Sequence, residues 1–351
     1  MDDPTGLHGQ HGIATDTAAS TACGTATARA WSGRFDQPDQ LAQALRDADV
    51  AYLSLQRGDF DARLSALDLG RASVQIARDG PHISRGAVAP GVVLLLLPLG
   101  AVAEGLRING CRPTPHDALV LGERAGLHAV VPGSQSWAAL TFGEHTLPSF
   151  GLDAMLTAAG DFRLHGGLVD RAGRLQSTLI ELEQLAAYAP ERIATGSVAA
   201  AMLEALSCQL AAGLRDGGRP ERPGRALRHS IRLVTAAEEF ADAHHGPIYT
   251  QDLADALSVA PRTLHAAFSA VFAMSPHRYL RVRRMNLVRR ALLDGRQTPA
   301  LIKTVALDHG FWHLGRFAQE YRALFGENPS STRREAQPAM AGSRWRASPA
   351  R

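Results

Sequence analysis

The chain has 351 residues, 45% of them hydrophobic and 20% charged, and a formal net charge of +3. That length suits two domains with cores of their own, and the composition excludes a collagen, an acidic disordered chain and a disulfide-rich scaffold. The near-neutral sum hides a division: residues 1–260 carry 21 basic and 29 acidic side chains, whereas 261–334 carry 13 basic and 4 acidic. A basic module is joined to an acidic body.

The first 30 residues are rich in Thr, Ala and Gly and read as a tail without fixed structure, extending to about residue 35. Cys23, Cys111 and Cys208 are widely spaced and odd in number, as expected of reduced thiols in a cytoplasmic protein. No basic start followed by an apolar core marks a signal peptide. The longest apolar run, 92–97, ends at Pro98, far short of the roughly 20 residues that span a bilayer. The expectation is therefore a buried strand and no membrane contact.

Between 41 and 150 the texture is one of short apolar runs broken by Gly, Pro and Asp. Strands are expected at 50–55, 72–77, 92–97, 118–121, 127–131 and 137–142, within a β-rich domain over 36–160. Helical spacing follows in 165–215. Leu175, Leu179, Leu182, Leu185 and Ala186 mark one helix (168–188), and Met202, Leu203, Leu206 and Leu210 a second (197–213). The Gly, Pro and Arg-rich stretch 216–226 is a linker. Residues 227–336 read as short helices joined by tight turns, and 337–351 as a tail.

The basic module contains a repeat. Leu264, Phe268, Phe272 and Pro276 recur 53 residues on as Phe317, Tyr321, Phe325 and Pro329, and Ala254 and Val259 recur at 52 as Ala306 and Phe311. The offset implies one residue inserted in the second turn. Each unit has a short helix, a turn and a longer helix with its core side at i, i+4 and i+8, the layout of a helix-turn-helix. A helix of that kind fits the major groove, where every base pair shows a distinct pattern. The aromatics at this spacing read as core. Off the stripe, the candidate DNA contacts are Arg262, Thr263, His265 and Ser269 in the first unit. In the second they are Leu314, Arg316, Gln319 and Arg322. Trp312 could pack or touch a phosphate, and His313 could cap the helix or read a base. Between the units, a helix opening at Pro276 carries Arg281 and Arg283, which read either as phosphate contacts or as a solvated face.

These residues resemble the AraC/XylS family of bacterial transcription regulators. The resemblance is carried by Asp252-Leu253-Ala254, Arg262-Thr263-Leu264, Phe268 and Ser275-Pro276-His277-Arg278-Tyr279-Leu280. It continues through Ala306, Gly310-Phe311, Arg316-Phe317, Tyr321-Arg322 and Phe325-Gly326-Glu327-Asn328-Pro329, so it covers about 100 residues. Three positions depart from the family pattern: Ser258 and Ala273 where Gly is common, and Ala260 where a capping Ser is common.

The resemblance implies a sequence-specific DNA-binding regulator, usually a promoter activator. Promoter DNA, RNA polymerase, a second copy of the chain and an unidentified small-molecule effector are the implied partners. It implies an α+β architecture: an N-terminal β-rich cupin-like barrel with a helical dimerisation segment, then an all-α tandem helix-turn-helix domain. His82, Arg85, Arg107 and Trp137, with His128, could wall an effector pocket. His116, His128 and His145 lack the pattern of cupin metal ligands, and no cofactor, metal or catalytic motif is expected. Two other readings stand beside this one: a DNA-binding regulator whose N-terminal domain binds a partner protein and no ligand, and a cupin-type oxygenase with a regulatory tail.

Overall fold

The computed structural model describes residues 29–335 apart from 56, 58, 59, 171, 194, 245 and 295–300. The expected tails fall outside these residues, except that the end of the first one is structured. Residues 29–35 form strand β1 (Arg29–Phe35). After it come α1 (Pro38–Ala44), β2 (Ala48–Ser54), β3 (Ala62–Asp68), β4 (Ala72–Asp79), β5 (His82–Val88) and β6 (Val92–Leu99). The β-rich part continues with β7 (Arg107–Ile108), β8 (Ala118–Leu121), β9 (Gly126–Val131), β10 (Gln135–Gly143) and β11 (Phe162–His165). Helices α2 (Arg174–Tyr188), α3 (Pro190–Ile193) and α4 (Gly196–Asp216) complete the first half.

The strands hydrogen-bond into two sheets, β1-β3-β4-β10-β6-β8-β11 and β2-β5-β9-β7, and the described residues do not close them into the cupin-like barrel that the resemblance implies. The larger sheet is a middle layer. One of its faces packs Leu95, Leu97 and Leu140 against Leu179, Leu203, Leu206 and Leu210 of α2 and α4. The other turns Leu64, Leu94 and Leu121 toward the smaller sheet. A strand covered on both faces needs apolar residues at successive positions, which accounts for the unbroken run in β6. Helix α4 is long and apolar enough to cross a membrane by composition, but its leucines are spent on this core.

Within the smaller sheet, β2 and β5 are pinned at one close approach. A Cβ on Gly86 of β5 would lie 1.9 Å from the Asp49 carbonyl oxygen of β2, so that position admits only hydrogen.

The C-terminal part is helical: α5 (Arg225–Ala243), α6 (Thr250–Ala256), α7 (Pro261–Phe272), α8 (Pro276–Leu293), α9 (Ile302–Asp308), α10 (Leu314–Phe325) and α11 (Pro329–Glu335). The repeat holds down to single bonds. Val259 N–H donates to Ala254 O and Phe311 N–H to Ala306 O, each at 2.9 Å. Phe268, Phe272 and Tyr279 pack ring against ring in the first unit, and Phe317, Tyr321 and Phe325 in the second. Helix α7 starts two residues after Val259 but α10 three after Phe311, which places the inserted residue at Trp312-His313.

The departures at Ser258 and Ala273 have a backbone consequence. Both are left-handed (φ +52° and +55°), as are their counterparts Gly310 and Gly326 (φ +77° and +80°). A side chain in that region costs about 1 kcal/mol or more. Ser258→Gly and Ala273→Gly are each expected to stabilise the protein by about 1 kcal/mol, read as a higher urea midpoint at unchanged m-value. Ala260 at the start of α7 makes no side-chain cap, whereas Ser275 accepts from Arg278 N–H at 3.2 Å and starts α8.

The outer face of the smaller sheet carries the helical part. Asn286 of α8 accepts from Ser54 N–H at 2.8 Å and donates to Ser54 O at 3.2 Å. Arg290 reaches Asp39 and Tyr52 O. Arg85 of β5 makes a two-pronged pair with Asp242 of α5, at 2.5 and 2.7 Å. At the centre, Glu238 of α5 pairs with His128 Nε2 of β9 at 2.9 Å and accepts from Tyr279 OH of α8 at 2.6 Å, all three being buried.

Candidate nucleic-acid interface

Side chains off the buried stripes of α7 and α10 form the candidate reading surfaces. On α7 the apolar face Leu264, Ala267, Phe268, Val271 and Phe272 is buried, which leaves Arg262 and His265 exposed and Thr263 and Ser269 half-buried. His265 Nδ1 and Ser269 Oγ lie 3.4 Å apart, one turn from each other. On α10 the stripe Phe317, Tyr321 and Phe325 is buried, Arg316, Gln319 and Arg322 are exposed, and Leu314 is half-buried. Trp312 and His313 are exposed in the longer turn, Trp312 at 68%.

The linking helix divides its arginines differently from what the charge run suggested. Arg283, a candidate DNA contact, is buried and donates to Ala241 O at 2.6 Å and to Asp242 at 3.0 Å. Helix α8 packs on α5 along that side, so the guanidinium is held inside the domain. Arg284 lies over the rings of Tyr249 and Phe311, tying the two units together. Arg281 is half-buried and bonds Glu320 of α10, with Nε at 2.8 Å.

Glu320 is the residue that the sequence reading missed. Its carboxylate takes Arg281 from one side and Arg316, at 2.9 Å, from the other. Partial burial works to raise its pKa, but the bonds from Arg281 and Arg316 outweigh that and hold it below the usual glutamate range. The Arg316–Glu320 half was legible as an i,i+4 pair; the Arg281 half exists only in the tertiary fold. An acid between two arginines of a candidate DNA-facing surface would withhold cationic charge from phosphate. Glu320→Gln is expected to raise affinity for random duplex DNA several-fold and to steepen the log–log salt dependence by about one unit. An unchanged slope would show that neither arginine is restrained.

The effector candidates separate by strand alternation. A cavity of about 70 Å³ lies between the sheets, and His82 and Trp137 line it together with Tyr52, Ser84, Leu96 and Leu127. Arg85 and His128 belong to the opposite face of the smaller sheet, where they meet α5, and Arg107 is also outside the lining. Among the described residues, no group of three or more His, Cys, Asp or Glu is placed to hold a metal.

The short first helix, tight turn and exposed second helix, given twice around a shared linking helix, define a tandem helix-turn-helix DNA-binding domain. A family profile described as a helix-turn-helix domain matches residues 253–335. The XylDLEGF operon transcriptional activator of Pseudomonas putida is 32% identical over 146 residues, which cover 42% of each chain. The probable thc operon regulatory protein of Rhodococcus erythropolis is 33% identical over 109 residues, 31% of this chain and 32% of that one. Among solved structures, a probable AraC family transcriptional regulator from Rhodopseudomonas palustris is 33% identical. It covers 30% of this chain and 99% of its own, with a TM-score of 0.28. Over its helical C-terminal part the chain is thus similar to these transcription regulators. The chain spans less than half the length of these curated relatives.

Proposed function

We propose that the whole chain is a cytoplasmic, sequence-specific transcription regulator. It binds promoter DNA through α7 and α10 and adjusts that binding to a small-molecule effector held between the two sheets. One observation carries this reading. Strands β2 and β5 supply both the cavity wall, through Tyr52, His82 and Ser84, and the docking contacts to the helical part, through Ser54 and Arg85. A molecule that shifts those strands acts on the DNA-binding domain directly.

Base reading is assigned to Arg262, Thr263, His265 and Ser269 in the first unit and to His313, Leu314, Arg316, Gln319 and Arg322 in the second. Trp312 and Arg281 are assigned to the phosphate backbone, and Arg283 to the domain interior. The helical layer α2–α4 exposes Ile180 and Tyr188 and is the candidate homodimer surface. RNA polymerase is the further partner of an activator of this kind. No enzymatic activity is proposed.

The test is a footprint on the DNA flanking the gene. The expected result is protection of two neighbouring major-groove segments per protomer, one helical turn apart, with Gln319→Ala weakening that site by about 1–3 kcal/mol and leaving random DNA unaffected. Equal affinity for unrelated duplexes at moderate salt would overturn the reading.

A further inference from the structure

Resting on the effector reading, the chemistry of the cavity wall narrows what it takes. Nearly every polar side chain that reaches the wall is already engaged. The Gln75 amide is closed on the backbone of Arg46, accepting from its N–H at 2.9 Å and donating to its O at 3.0 Å. Gln135 is spent on Ala103 N–H, Ala101 O and Ser136 O. Trp137 Nε1 donates to Asp79 Oδ2 at 3.0 Å, and the Tyr52 hydroxyl is also bound to Asp79. The donors that could have met an anion are therefore turned toward a buried carboxyl behind the wall.

His82 is different. Its Nδ1 lies 2.9 Å from Gly80 O. A carbonyl only accepts, so Nδ1 carries a proton, and the neutral form of the ring presents a lone pair at Nε2. Nε2 has no partner among the described residues, on a ring that lines the cavity. Ser84, on the same strand face, adds a hydroxyl to the lining. Arg46 is the only charged residue of the wall among those described, and it is exposed to solvent. The remaining lining is aliphatic apart from the Tyr52 and Trp137 rings.

We propose that this cavity binds a small, uncharged, mainly apolar molecule with one hydrogen-bond donor, a short-chain alcohol in character, which donates to His82 Nε2. An anionic head would lie near the Asp79 carboxyl, where the wall offers no Arg or Lys but the solvent-exposed Arg46, and burying an unpaired charge is costly. The size follows from the volume. About 70 Å³, less than half of the roughly 150 Å³ of an apolar cavity that admits benzene, suits a ligand of a few non-hydrogen atoms.

The experiment compares 1-butanol, butyrate and butylamine on the full chain by saturation-transfer NMR titration, with His82→Phe, His82→Gln and Leu96→Trp as variants. Butanol is expected to bind at least tenfold more tightly than butyrate or butylamine. His82→Phe should abolish that binding with unchanged circular dichroism, and His82→Gln, which keeps an acceptor, should retain part of it. Tighter binding of butyrate would overturn the ligand class and leave the effector site standing, because Leu96→Trp, which fills the cavity, would still remove it. Butanol binding untouched by His82→Phe would overturn the role of His82. Binding by none of the three would reject both the class and the cavity as the effector site.

Discussion

Glu238→Ala is expected to destabilise the protein by about 3–5 kcal/mol, the cost of breaking a buried pair from one side. The carboxylate is the shared partner of His128 and Tyr279, so its removal strands a ring nitrogen and a phenol inside the protein. Tyr279 is fully buried, and burial, followed by the charge of Glu238, raises its pKa well above that of a free tyrosine. It has no ionised state to escape into at neutral pH. Glu238→Gln keeps an oxygen for the Tyr279 hydroxyl and should cost less, about 1–3 kcal/mol. Urea denaturation gives both values. A double-mutant cycle with His128→Phe should return a coupling of about 1 kcal/mol or more, the range for residues in one network. Additive losses would mean that the three groups are neighbours without being partners.

Gly86→Ala is the second large effect. The added carbon would sit 1.9 Å from Asp49 O and 2.9 Å from the Asp49 carbonyl carbon and Val50 Cα. These are main-chain atoms that no rotamer change can move. Overpacking costs about 1–3 kcal/mol, and more where the neighbour is rigid, so a loss of about 3 kcal/mol or more is expected. Gly196→Ala is the control, since nothing lies within 4 Å of a Cβ there; it should be neutral or stabilising by up to about 1 kcal/mol. Because β2 also carries Ser54 and Tyr52 to α8, the Gly86 variant should weaken docking as well. That is measurable as faster proteolysis of the 217–224 linker. Similar midpoints for the two glycine variants would contradict the close approach.

What the sequence revealed followed from how local its signals are. The tandem units were legible because a helix writes its buried face at every third or fourth residue, and two copies repeat the writing at 52 and 53 residues. The strands with long apolar runs, β6 and β10 among them, were legible for the same reason. β3 and β5 were not, because Arg63, Ser65, His82 and Arg85 interrupt their apolar positions, and Ser65 and Arg85 find their partners, Ser32 and Asp242, far along the chain. β1 was lost inside a Gly and Ser-containing stretch that only pairing with β3 makes a strand.

The arginine run in α8 shows the limit most clearly. Charge density locates a basic helix but does not say which arginines face outward. Arg283 turns inward because Ala241 O and Asp242, some 40 residues earlier, are there to receive it. Arg85 read as a pocket residue until alternation along β5 put it on the outer face, opposite His82.

The extra residue at Trp312-His313 makes the two reading heads unequal. Only identical heads related by a twofold axis could lie on a site either way round. With the second head entering one residue later and behind an exposed indole, the two orientations cease to be equivalent. A single chain bound across both heads has a front and a back along the DNA, and whatever its β-rich half touches is fixed upstream or downstream by that polarity alone.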